Sequence, residues 1–85
     1  MKQMGEQLEV IPGVGPKIAT RLRAVGIERA SDLAGMNPEL LYDKLVKKEG
    51  GYLDRCVLYV CRSSVYYASH THHDPEKLKW WNWKD

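Results

Sequence analysis

Hydrophobic and polar positions follow the period of an α-helix in several stretches of the chain. The first stretch begins at Pro16 and ends at Gly26, and its apolar positions are Ile18, Ala19, Leu22 and Val25. Spacings of three and four residues place such side chains on one face of a helix. Proline suits a first helical position, where its missing N–H is no loss, and glycine suits the end because it tolerates a positive φ. The pattern therefore predicts a helix with one buried face.

A second helix is predicted from Pro38 to the glycine pair at residues 50–51. Asn37 precedes it, and asparagine at this position accepts hydrogen bonds from first-turn amides that have no partner within the helix. The predicted buried stripe of this helix consists of Leu40, Leu41, Leu45 and Val46.

Residues 52–69 form the longest apolar stretch, YLDRCVLYVCRSSVYYAS. Valine and tyrosine favour strands, so a strand is the alternative to a helix here. A strand of this length would be unusual, and the rest of the chain has helical periodicity. We therefore predict a helix. Because its apolar residues cover most of its circumference, it should be the central element of the fold.

The remaining stretches are shorter. One or two helical turns are predicted over residues 3–10 and a short helix over residues 30–35, while residues 70–85 are predicted to be an irregular tail that holds all three tryptophans. The sequence thus predicts an all-α fold, a compact bundle of about five short helices in one domain. Residues 1–73 form the bundle, and residues 74–85, the tryptophan tail, pack on the same domain.

Composition narrows the class of protein. The 85 residues carry a net charge of +2 with mixed signs, which suits a globular domain but does not by itself indicate a nucleic-acid partner. No apolar run reaches the roughly 18 residues that span a bilayer, and the polar start lacks a signal-peptide core, so we expect a cytoplasmic protein without a membrane partner. Cys56 and Cys61 would point to different faces of a helix and are predicted to be buried free thiols.

The stretch IPGVGPKIATRL, residues 11–22, carries the strongest chemical signal. Glycines let backbone N–H groups approach an anion closely, and the first N–H groups of a helix carry the positive end of its dipole. The stretch is too short for a nucleotide-binding P-loop, and it lacks the strand and third glycine of a dinucleotide fingerprint. It predicts a glycine turn, residues 11–15, that either binds an anion or only connects two helices.

Positive charge follows this turn. Between Pro16 and Arg23 there are three cations and no acid, and Lys17 and Arg21 are four residues apart, hence on one helix face. Val14, at the tip of the turn, should be buried against the flanking helices.

Residues 11–27 resemble the helix-hairpin-helix motif of proteins that bind DNA without sequence specificity. The resemblance includes the turn IPGVG, the small residue Ala19 and the closing Gly26-Ile27. It implies a phosphate held by backbone amides beside Lys17, and the candidate phosphate-binding residues are Gly13, Val14, Gly15, Lys17, Ile18, Arg21 and Arg23. No cofactor is expected, although motif members with a bound monovalent cation use carbonyls that correspond to Glu9, Ile11 and Val14.

Nearly the whole chain resembles the pathogenicity-locus family of small bacterial proteins, which is grouped with helix-hairpin-helix domains. The resemblance follows the order IPGVGPKIATRLRAVGI, SDLAGMNPELLYDKL, DRCVLYVCRSSVYYA and DPEKLKWWNWKD, and the tryptophan-rich ending is its most specific part. It implies an all-α, SAM-like fold and no particular reaction. Arg29 departs from the pattern, because relatives often have a capping serine or threonine there.

The tryptophan tail and the histidines have competing interpretations. Trp80, Trp81 and Trp83 could stack on unpaired bases or contact a partner, but covering the thin core of a small domain is the favoured interpretation. The histidines, His70, His72 and His73, are not predicted to bind a metal, because no cysteine pair accompanies them at ligand spacing.

Two functions remain. The first is a small non-enzymatic module that binds DNA weakly and without sequence specificity through backbone phosphates, since no nucleophile with a base and no carboxylate pair has catalytic spacing. The second is a protein-interaction or homodimerisation module that uses the last helix and the tryptophan tail, with the glycine turn purely structural.

Overall fold

Three α-helices and four short 3₁₀ turns make up the part of the chain that the computed structural model describes, residues 7–84. The α-helices are α1 (Pro16–Ala24), α2 (Pro38–Lys48) and α3 (Arg55–Ser69), and the 3₁₀ turns are Leu8–Val10, Ala30–Leu33, Pro75–Leu78 and Trp80–Trp83. No helix in this part is long and apolar enough to cross a membrane. The all-α prediction is confirmed.

The number and regularity of the short elements differ from the prediction. The segment at residues 30–35 forms a single 3₁₀ turn, and the tail is not irregular but contains two such turns. The predicted turns at residues 3–10 lie partly outside the described residues, and within them one 3₁₀ turn is present. Segments this short cannot offset the cost of nucleating an α-helix, so they close into 3₁₀ turns when they pack.

The glycine after α1 ends that helix as the sequence predicts. Gly26 has a φ of +96°. Its amide donates to the carbonyl of Arg23 at 3.1 Å, and the amide of Ile27 donates to that of Leu22 at 3.0 Å. These two bonds satisfy carbonyls that α1 leaves unpaired, and the glycine pair after α2 makes the same two bonds.

Side-chain caps set the starts of α2 and α3. The Asn37 side chain accepts hydrogen bonds from the amides of Glu39 and Leu40 at 2.9 and 3.3 Å, as predicted. The Asp54 carboxylate accepts one from the amide of Cys56 at 2.9 Å. Because Asp54 caps the last helix, α3 begins at residue 55 rather than at residue 52.

Arg29 stands before the Ala30–Leu33 turn, where a serine or threonine would cap it, and a side chain of the turn itself stabilises this start instead. The Asp32 carboxylate accepts hydrogen bonds from the amides of Glu28 and Arg29 at 3.0 and 3.1 Å. These bonds lower the pKa of Asp32, because they favour the charged carboxylate. The start of the 3₁₀ turn is therefore stabilised without a serine or threonine.

α3 is the central element, as predicted. It contacts α2, the Ala30–Leu33 turn and both turns of the tail. Its buried residues are Val57, Leu58, Val60, Cys61, Ser63 and Ser64. α1 packs on α2 and on the Leu8–Val10 turn, and it buries Ala19 and Leu22 in the same core.

Two predictions of burial are wrong. Leu40 is 60% exposed, whereas Leu41 and Leu45 are buried, because neighbouring helix residues differ by about 100° in direction and only the latter two face the core. Cys56 is exposed in the first turn of α3, and only Cys61 is buried. Both thiols are free, as expected. Burial raises the pKa of the Cys61 thiol to about 12.

Candidate nucleic-acid interface

The glycine turn is a tight β-turn held by its apolar residues. The amide of Val14 donates to the carbonyl of Ile11 at 3.0 Å, and Gly13 has a φ of +90°, which suits the third position of a type II turn after a proline. The side chains of Ile11 and Val14 are buried in the core. Pro12, Gly13 and Gly15 are exposed. The turn thus presents backbone to solvent while its apolar side chains anchor it.

Most amides around the start of α1 have no hydrogen-bond partner among the described residues. Gly15 precedes the helix and has no side chain that could cap it, and its carbonyl accepts the hydrogen bond of Ala19 at 2.9 Å. Within residues 7–84, the amides of Gly13, Gly15, Lys17 and Ile18 have no hydrogen-bond partner. The amide of Val14 is used inside the turn, so Val14 serves to hold the turn rather than to offer a donor.

Two of the three predicted cations are paired with carboxylates. Arg23 makes two hydrogen bonds to the Glu9 carboxylate, at 2.9 and 3.3 Å, and the Arg21 Nε lies 3.4 Å from the Glu49 carboxylate. The bond from Arg23 lowers the pKa of Glu9, and the same bond raises the pKa of Arg23. Lys17 is exposed and forms no ion pair with any residue that the structure describes.

The carboxylate partners of Arg21 and Arg23 were not predicted, because they are distant from these arginines in sequence. Glu9 precedes the glycine turn and Glu49 follows α2, so neither falls in the window that appeared free of acids. A turn that reverses the chain direction places the residues before it beside the helix after it, and this rule could have suggested the Glu9–Arg23 pair.

Trp80 packs directly against the glycine turn. Its Cδ1 atom lies 3.0 Å from the point where a Cβ on Gly13 would be, and its Cγ and Cβ atoms lie 3.7 and 3.8 Å from that point. The Trp80 ring also packs against the hydrophobic core. Two features therefore favour glycine at position 13: the positive φ and the indole ring beside it.

Trp81 and Trp83 have different surroundings. The indole N–H of Trp83 donates to the carbonyl of Lys77 at 2.7 Å, and its ring lies 5.8 Å from that of Tyr66 on α3. Trp81 remains 49% exposed and contacts the Trp80 ring edge to face, at a centroid distance of 5.7 Å. The structure thus places Trp80 against the glycine turn, Trp81 beside Trp80, and Trp83 against Tyr66 on α3.

Arg62 on α3 forms hydrogen bonds with both the tail and α2. Its side chain is 18% exposed and donates to the carbonyl of Trp83 at 2.8 Å and to the Glu39 carboxylate at 2.9 and 3.0 Å. Its guanidinium also lies over the ring of Tyr59. This arginine joins α2, α3 and the end of the tail.

The histidines lie at the carboxyl end of α3. His70 Nδ1–H donates to the carbonyl of Tyr66 at 3.0 Å, and His73 Nε2–H donates to that of Tyr67 at 2.8 Å. These bonds satisfy carbonyls that the helix leaves unpaired. Within the described range, no group of three or more histidine, cysteine, aspartate or glutamate residues is placed to hold a metal ion.

The carbonyls that the resemblance assigns to a monovalent cation have few hydrogen-bond donors among the described residues. The carbonyls of Glu9 and Val14 accept no hydrogen bond from the described residues, and that of Ile11 accepts only one, from Val14. Since a carbonyl oxygen has two lone pairs, all three retain acceptor capacity at the turn.

Similarity to a known protein family covers nearly the whole chain. A family model described as pathogenicity locus matches residues 2–85, which include the glycine turn, the three α-helices and the tryptophan tail. No curated protein and no solved structure matches the chain. The match confirms the resemblance in the sequence, and the chain belongs to the pathogenicity locus family.

Proposed function

We propose that this protein is a small non-enzymatic module with a helix-hairpin-helix motif that binds DNA weakly and without sequence specificity. The observation that carries the proposal is the group of unpaired amides at Gly13, Gly15 and Ile18 beside the exposed Lys17. Unpaired N–H groups at a helix start attract phosphate, and contacts to phosphate position a protein without reading bases.

The paired arginines reduce the expected strength of binding. A phosphate must compete with Glu9 for Arg23 and with Glu49 for Arg21, so we assign the main cationic contact to Lys17. One turn reaches two or three phosphates, which gives a slope of log affinity against log salt of about −2 to −3. We expect dissociation constants above the roughly 10⁻⁶ to 10⁻⁴ M of non-specific binders that make more contacts.

The loop before α2 does not offer a second phosphate site. The amide of Gly35 donates to the Ser69 hydroxyl at 2.9 Å, and the first amides of α2 are capped by Asn37. Donors that are satisfied internally gain little from a phosphate. We therefore place the phosphate contacts at the glycine turn and the start of α1 alone.

A substitution at Gly15 tests the proposal without endangering the fold. Gly15 has extended backbone, and no atom of residues 7–84 lies within 4 Å of the place a Cβ would take. Aspartate there can cap α1 by accepting hydrogen bonds from the amides of Lys17 and Ile18. Gly15→Asp should therefore keep or raise the melting temperature while its carboxylate repels phosphate. We expect it to lose DNA binding, measured by fluorescence anisotropy with labelled duplex, gapped and single-stranded DNA at two salt concentrations.

Matched variants separate a local effect from a change in net charge. Gly15→Ala leaves the amides unpaired and should still bind. Lys17→Glu should lose binding, whereas Lys44→Glu, the same charge change at an exposed position on α2, should retain most of it. Equal losses from the two lysine variants would show a non-specific charge effect and contradict the phosphate site.

The alternative function is a protein-interaction or homodimerisation module. This alternative has less support, because α2 and the tail cover α3. Of the three tryptophans, Trp81 is exposed and the other two are half-buried. If wild-type protein binds no DNA at high micromolar concentration and low salt, the glycine turn is a connector and this alternative is favoured.

A further inference from the structure

Trp81 is an exposed aromatic residue beside Trp80, the tryptophan that packs on the glycine turn. Its neighbour Trp80 is fixed against Gly13 and the core, and the Trp81 ring meets that of Trp80 at an interplanar angle of 86°. Both residues belong to the Trp80–Trp83 3₁₀ turn, which Arg62 ties to α3 through the carbonyl of Trp83. Trp80 and Trp83, which precede and follow Trp81 in this turn, are thus both held by contacts with the rest of the fold.

Trp81 offers an aromatic face in a tail whose charges are partly paired. The nearest lysine in sequence on its amino side, Lys79, is 3.2 Å from the Glu76 carboxylate. This pairing neutralises part of the positive charge of the tail. A half-exposed indole offers a flat π-face, which any nucleobase can stack on regardless of sequence.

We propose that Trp81 stacks on an unpaired base of a DNA strand whose phosphate is held at the glycine turn, so that the module prefers single-stranded or gapped DNA to intact duplex. This inference rests on the proposed function and names its substrate class. In a duplex both faces of each base are stacked on neighbouring pairs, so Trp81 could not reach one without unstacking it. At a gap or in a single strand the face is open. The Trp80 side chain contacts both Gly13 and Trp81, so the stacking surface lies one side chain away from the glycine turn.

The experiment compares affinities for single-stranded, gapped and duplex DNA of equal length, with wild type, Trp81→Ala and Trp81→Tyr. The expected loss for Trp81→Ala on single-stranded and gapped DNA is about 5- to 100-fold, and the duplex affinity should be unchanged. Trp81→Tyr keeps an aromatic face and should lose much less. Tyr52→Ala, at an exposed aromatic residue in the loop between α2 and α3, is the control and should bind as wild type does.

The outcomes distinguish this inference from the function on which it rests. If wild type binds duplex and single strands equally well, and Trp81→Ala changes neither affinity, stacking is overturned while phosphate binding at the glycine turn stands. If Trp81→Ala weakens binding to every DNA equally, and circular dichroism shows an intact fold, Trp81 contacts something other than an unpaired base and the inference is also overturned. If wild type binds no DNA, both proposals fail together.

Discussion

Gly13 and Gly15 are two residues apart in one turn, yet their surroundings differ. Gly13 has a φ of +90° and faces the Trp80 indole, whereas Gly15 has ordinary extended backbone and open space around it. The sequence predicts both as equivalent members of a glycine turn. Their φ values differ because Gly13 is the third residue of the turn, and the packing of Trp80, 67 positions further along the chain, adds the second difference.

Gly13→Ala should destabilise the protein. The left-handed backbone alone costs a non-glycine residue about 1–2 kcal/mol, and a Cβ at 3.0 Å from the Trp80 ring forces that ring to move. At Gly15, alanine loses a favourable cap residue but also restricts the unfolded chain, so Gly15→Ala should be within about 0.5 kcal/mol of wild type. Urea unfolding followed by tryptophan fluorescence measures both, and equal effects of the two substitutions would contradict this account.

Asp32 makes stability depend on pH at the acid end. Its folded-state pKa is lowered from 3.8 by the amides of Glu28 and Arg29, so its contribution is present above the unfolded-state value and is lost as pH falls through the lowered pKa. The pKa values of Glu9 and Asp54 shift in the same direction. Asp32→Asn should therefore melt below wild type at pH 7, with a difference that shrinks as pH falls below about 3.8. A difference that stays constant with pH would assign the effect to something other than the charge.

At the scale of elements, the three α-helices were predictable and the 3₁₀ turns were not. Helical periodicity, a capping asparagine and terminal glycines act between residues a few positions apart, so a sequence window contains them. The turns of the tail depend on partners elsewhere. Trp83 lies against Tyr66 and Arg62, both on α3.

Arg62→Met should loosen the tail. It removes the hydrogen bonds to the carbonyl of Trp83 and to Glu39, and bonds of this charged kind contribute about 1.5–3 kcal/mol when little exposed. We expect a loss of stability of this order and a red shift of tryptophan emission. Glu39→Gln weakens only the partly exposed ion pair and should cost at most about 1 kcal/mol. If Glu39→Gln has the larger effect, the ion pair rather than the bond to the tail carries the stabilisation.

At the scale of the whole molecule, a thin core surrounds α3, and adjacent residues of α2 belong to different environments. Leu41 is fully buried in this core, and Leu40 is largely exposed. A domain of this size buries only about 60–65% of its unfolded surface, so each buried leucine carries a large part of the total stability.

Leu41→Ala should cost about 2–5 kcal/mol, because it removes buried methyl groups and leaves a cavity. Leu40→Ala should lie within about 0.5 kcal/mol of wild type, since most of its side chain is already in water. Thermal and urea unfolding compare the two substitutions directly. A large effect at Leu40 would mean that this residue is covered by a second copy of the protein in solution.

The sequence by itself determined the helical class, the three main helices with the Asn37 cap of α2 and the glycines after α1 and α2, the central place of the last helix, and the glycine turn before α1. These features arise from interactions between near neighbours, whose spacing the sequence states directly. Only the tertiary structure decided which cation near the turn has no carboxylate partner among residues 7–84, that Trp80 packs on Gly13, and that Trp81 stays exposed. Those features join residues distant in sequence, and their distances are set when the elements pack around α3.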